Sequence, residues 1–147
     1  MASGKEIAVL LAVACMGIVR QDVKVVTYST GKADTEAYES LSFWIKDNQR
    51  AYIRYSHGKE VEDEELSWLG RDSLRGETGF KVRFPVPDTL SLYVIQKGYE
   101  LKVTDRSGRY LHAFVWENEN KPGQEGCSIC AQTEKEAMGM LQKYFFK

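Results

Sequence analysis

Residues 109–116 run Arg-Tyr-Leu-His-Ala-Phe-Val-Trp. Side chains of a β-strand alternate between its two faces, so the octet sorts into two rows. Leu111, Ala113 and Val115 form an ordinary aliphatic row, expected to face a core. Tyr110, His112, Phe114 and Trp116 form a row of rings with one titratable imidazole. Such a row has to be covered by protein or used to hold something.

The stretch leading into the octet has the same strand character. Val82, Phe84 and Val86 alternate with Lys81, Arg83 and Pro85, and Pro85 marks that run as an edge. An unpaired edge near 80–86 is also where two chains would join, which leaves a homodimer open. Leu90–Gln96 follows, Lys97-Gly98 turns the chain, and Tyr99, Leu101 and Val103 alternate with Glu100, Lys102 and Thr104. Asp105-Arg106-Ser107-Gly108 is a strong turn signal, with Asp opening it and Gly free to take a positive φ. The pattern predicts a meander over 80–116. Nearer the N-terminus, the β-branched run 23–30 is a strand ending at Gly31. Leu41–Lys46 and Ala51–Ser56 flank the polar Asp47-Asn48-Gln49-Arg50 as a hairpin.

Three segments are expected to be helical. Residues 3–20 are apolar on every side, as in a helix buried on most faces or a central strand, and their Ala/Leu content favours the helix. Glu60–Leu69 begins acidic and ends at Gly70, the polarity of a short helix with its dipole satisfied. Ser128–Phe145 places Met138, Leu141 and Phe145 on one face, suited to lie across the sheet and cover Tyr110, Phe114 and Trp116. The expected fold is a single α+β domain over 1–147. It has one antiparallel sheet of about six to seven strands with the N-terminal and C-terminal helices packed on it.

Composition narrows the function. A net charge of −1 and a pI near 6.2 supply no field for holding a polyanion, so nucleic acid is not an expected partner. The apolar run 7–19 would rise only about 20 Å as a helix, too short for a membrane span. It resembles the apolar part of a signal segment. However, its small-residue site, Ala12-Val13-Ala14, lies inside the run, and Glu6 stands where positive charge is preferred. A buried element is the expectation, with secretion the alternative if 7–19 is a signal. Cys15, Cys127 and Cys130 are an odd number, which argues against a disulfide framework and for a reducing, cytoplasmic setting.

Cys127-Ser128-Ile129-Cys130 has the spacing of a redox or metal motif. It follows a loop rather than a strand, and zinc would need further ligands from Cys15, His57 or His112. Incidental thiols are the simpler expectation, with no cofactor and no bound metal. His112 among rings is expected to be a core side chain with a satisfied nitrogen, and His57 to sit exposed at a turn. The run Glu60, Glu62, Asp63, Glu64, Glu65 lacks the loop of a calcium site and suits a solvated helix. Phosphate-loop, nucleophile-elbow, zinc-protease and dinucleotide motifs are absent, so no catalytic residue is expected.

The functional expectation is a non-catalytic binding or regulatory module working through protein–protein contacts. Trp44, Tyr52, Tyr55 and Trp116 are its candidate anchors, since large rings dominate interface energetics. One alternative is a small-molecule or lipid pocket between the sheet and the C-terminal helix, lined by Tyr110, His112, Phe114 and Trp116 and taking a small apolar ligand. A thiol-dependent enzyme or redox protein using Cys127 and Cys130 ranks last.

Overall fold

A computed structural model describes residues 22–47, 49–60, 62–85, 91–109, 111–119 and 126–147. The expected helix over 3–20, the apolar run 7–19, Cys15 and Tyr110 lie outside the described residues.

Among the described residues eight strands follow one another: β1 (Val25–Thr30), β2 (Glu39–Ile45), β3 (Ala51–His57), β4 (Glu62–Leu74), β5 (Glu77–Arg83), β6 (Ser91–Lys97), β7 (Glu100–Thr104) and β8 (Leu111–Glu117). Each pairs antiparallel with the next, and β8 returns to pair with β1 through Thr27↔Glu117, Tyr28↔Trp116 and Ser29↔Val115. The result is a closed up-and-down barrel, followed by helix α1 (Glu134–Tyr144). The expected open α+β sheet of six to seven strands is therefore incorrect: the strands close into a barrel, and only the C-terminal helix of the two expected lies among the described residues, packed across one end. Hydrophobic alternation identifies strands, but nothing local to them states that the first and last will meet. Closure also removes the expected edge at 80–86: β5 is paired on both sides, and Pro85 lies just beyond its last residue.

The segment expected as a helix over Glu60–Leu69 is the first half of β4, the longest strand. Its acidic charge mimics a helix start, yet Glu62, Asp63 and Glu65 find partners across the ladder. His57 lies opposite Glu62, and its Nε2 is 3.8 Å from Glu62 Oε2; the Ser56 hydroxyl donates to Asp63 at 2.5 Å; Arg54 lies opposite Glu65. Pairing with β3 on one side and β5 on the other outweighs the weak strand propensity of Glu and Asp. A bulge between Trp68 and Gly70, where Gly70 takes φ 102°, re-aims the second half of β4.

The core is the barrel interior. Val26, Tyr28, Leu41, Phe43, Ile53, Phe80, Val82, Val94, Leu101 and Phe114 are buried there with Met138, Leu141 and Phe145 of the C-terminal segment. Phe145 meets the edge of Phe43 at 5.1 Å and tilts against Phe80 at 5.8 Å, and Phe146 meets Phe80 at 5.0 Å. The Trp68 indole donates to the Phe145 carbonyl, and Gln142 donates to Gln96 at the far end of β6. These contacts place α1 across the end of the barrel where β1 begins and β2 ends. The face Met138/Leu141/Phe145 is buried as the spacing predicts, with α1 starting at Glu134 rather than Ser128.

Of the two rows of the octet, the ring row is covered as expected and the aliphatic row is not. Phe114 is 1% exposed inside the barrel, and Trp116 packs against the core. Leu111 and Val115, from the row expected to face a core, are 56% and 47% exposed on the outside. In a barrel one face of each strand points inward, and here the larger rings fill it.

Candidate functional site

The end of the barrel opposite α1 differs in chemistry. Register carries Thr30, Glu39, His57 and Glu62 to that end on one continuous face, since Thr30 lies opposite Glu39, Glu39 opposite His57, and His57 opposite Glu62. Tyr55, one step deeper, faces Leu41 on one side and Glu64 on the other. His112 of β8, which flanks β1 on the side away from β2, joins on the same inward face, opposite Val103.

Glu39 is the hub. Its side chain is only 12% exposed, with Oε2 2.9 Å from His112 Nδ1. The Tyr55 hydroxyl donates to Oε1 at 2.6 Å. A carboxylate this enclosed needs such partners, because an unpaired buried charge is costly. The Tyr55 ring stacks on His57 at 5.4 Å and meets the edge of Phe84 at 5.1 Å. Beside this cluster, Glu36, His57, Gly58, Glu60 and Glu62 line a cavity of about 140 Å³. Both histidines of the chain therefore sit at one rim, as do the rings of Tyr55 and Phe84. No metal-binding group of three or more His, Cys, Asp or Glu side chains forms among the described residues.

No family model, curated protein or solved structure matches this chain.

Of the residues singled out in the sequence, Tyr55 and His112 meet through Glu39, a residue that sequence reasoning missed. Only the alternation of β2, with Glu39 two and four positions before the buried Leu41 and Phe43, hinted at it. Phe114 and Trp116 share the inward face of His112 but lie deeper, in the packed core. Trp44 and Tyr52 do not join the cluster. They are partners across β2 and β3 on the outer wall, stacked at 5.5 Å with planes 12° apart. Arg54 lies 5.0 Å over Trp44 and Lys46 lies 4.6 Å over Tyr52, so the wall carries a ladder of alternating cations and rings.

Cys127 and Cys130 form a disulfide rather than the expected free thiols, with their Cα atoms 5.3 Å apart. Their spacing was legible, but their union depends on the loop bringing both sulfurs together. Among the described residues no helix is long and apolar enough to cross a membrane.

Proposed function

We propose that this protein is a non-catalytic binding barrel that takes a small, donor-rich or cationic molecule at the end opposite α1. The observation that carries this is the Glu39 hub: an enclosed carboxylate at the rim of a closed barrel, held by Tyr55 and His112. Eight-stranded up-and-down barrels either fill their interior with side chains or hold one small ligand. Here the half next to α1 is filled by Phe43, Phe80 and Phe145, which leaves the polar rim as the receptive part. Carboxylates only accept hydrogen bonds. Glu36, Glu60 and Glu62 around the cavity, with the faces of Tyr55 and Phe84 nearby, therefore suit amines and guanidines better than anions.

Titration calorimetry of the full chain against small primary amines, guanidines and matched carboxylates tests this. Binding of one cationic class is expected, with Glu39→Gln weakening it by about tenfold or more, in line with a charge-assisted hydrogen bond. Equal affinity of wild type and Glu39→Gln, or preference for the carboxylates, would overturn it.

A second use of the fold, docking of a protein partner, is favoured by the outer ladder Lys46/Tyr52/Trp44/Arg54. Flat, stiff rings on an outer wall are good interface anchors. Trp44→Ala is then expected to lower partner affinity without unfolding the barrel, read by circular dichroism alongside binding; loss of the fold would show the ring to be structural.

A further inference from the structure

We propose that the Cys127–Cys130 disulfide is a thiol–disulfide exchange site for a dithiol, with Glu119 as its proton donor. The segment that carries it is built into the barrel wall. Past Thr27, where β8 no longer pairs with β1, the amides of Lys24 and Val25 donate to the Ile129 carbonyl at 2.8 and 3.3 Å, and Val25 forms a parallel bridge with Cys130. Glu119, two residues past β8, reaches this segment with Oε2 2.9 Å from Cys130 Sγ. Its other oxygen, Oε1, is buried and has no partner among the described residues.

A disulfide sulfur carries no hydrogen, so a proton shared at that distance belongs to the carboxyl. Burial raises the pKa of Glu119 above the usual carboxylate range, Glu117 adds repulsion, and a hydrogen bond from Thr27 opposes both. Glu117 itself accepts from the Tyr38 hydroxyl at 3.1 Å. The disulfide segment 126–133 carries no charged side chain; the first beyond it is Glu134.

The exchange runs in two displacements. A thiolate of the dithiol attacks Sγ of Cys127, a half-buried residue where Cys130 is buried, and the S–S electron pair leaves on Cys130 Sγ. Cys130 is 4% exposed, and a thiolate so poorly solvated is a poor leaving group. The Glu119 proton moves onto it, giving the Cys130 thiol and a carboxylate. The second thiolate of the dithiol then attacks its own sulfur in the mixed disulfide and releases Cys127. The dithiol is oxidised to a disulfide, and Cys127 and Cys130 are reduced to two thiols. The two substrate protons pass to solvent, from which Cys127 and Glu119 are re-protonated.

The test is reduction of the full chain by dithiothreitol between pH 5 and pH 9, quenched by alkylation and mapped by peptide mass so that Cys15 is counted separately. Each rate is divided by the dithiothreitol thiolate concentration. In wild type this normalised rate is expected to fall by about tenfold or more from pH 5 to pH 9, while Glu119→Gln gives a slow, flat profile. A flat wild-type profile overturns the proposal whether or not the variant folds. Matching sloped profiles in the two proteins would remove Glu119 from it, and a mixed disulfide trapped on Cys130 would overturn the order of attack.

Discussion

Tyr28 and Glu39 show how differently one barrel treats two enclosed polar groups. The Tyr28 hydroxyl is fully buried with no hydrogen-bond partner among the described residues. Burial, with the charge of Glu134 nearby, pushes its ionisation far above the ordinary phenol range. An unpartnered buried hydroxyl is a cost, and removing it should relieve that cost. Tyr28→Phe is thus expected to leave the unfolding free energy unchanged or raised by up to about 1 kcal/mol, measured by chemical denaturation. A loss of more than that would mean the hydroxyl is paired. Glu39, by contrast, is satisfied twice, by Tyr55 and His112. His112 was visible in the sequence as an imidazole that needs a polar partner. That partner was not, because Glu39 lies 73 residues earlier and meets it only once β8 closes onto β1.

Among the elements, the hairpins were the most legible. The β2/β3 turn closes as its polar sequence suggests, with Lys46 donating to Arg50 at 2.9 Å and Gln49 taking φ 63°. The Asp105 turn does as well: its carboxylate accepts from Ser107 and from the Arg109 amide, which together hold its pKa below the usual range. For β4 the acidic composition pointed to a helix, since charge pattern is a local signal and ladder pairing is not. The start of α1 was misplaced because the apolar spacing carries back to Ile129, whereas the cap is Thr133, whose hydroxyl accepts from the Glu136 amide at 3.1 Å. One glycine reports on strand spacing. Gly79 lies where an added Cβ would collide with the Val94 carbonyl of the adjacent β6. Backbone cannot swing aside as a side chain can, so Gly79→Ala is expected to cost about 1–3 kcal/mol, seen as a lowered midpoint in thermal unfolding. An unchanged midpoint would show that β5 and β6 have slack.

At the scale of the whole molecule, the barrel is only as closed as its seam. β1 and β8 share three residue pairs, against seven between β2 and β3. The seam also joins segments about 90 residues apart, so its closure carries the largest loop entropy of any strand pair. Hydrogen exchange should therefore release the amides of β1 and β8 before those of the β2/β3 hairpin, as local opening follows the weakest cooperative unit. Equal protection across both would argue that the barrel opens only globally. Opening at this seam would also expose the disulfide segment, which occupies the place that β8 vacates beside β1.

What the sequence by itself determined were the quantities set by neighbours along the chain. These are the alternation of seven of the eight strands, the tight turns between them, the apolar face of α1 and the CxxC spacing. Each depends on a period of two or 3.6 residues, or on a few contiguous turn residues, and so is written locally. The tertiary structure decided that the meander closes, which face of the octet points inward, and that the acidic run is a strand. It also decided that Glu39 meets His112 and that Glu119 meets Cys130. All of these depend on contacts between strands and segments, where the energy comes from burial and pairing that no local period encodes.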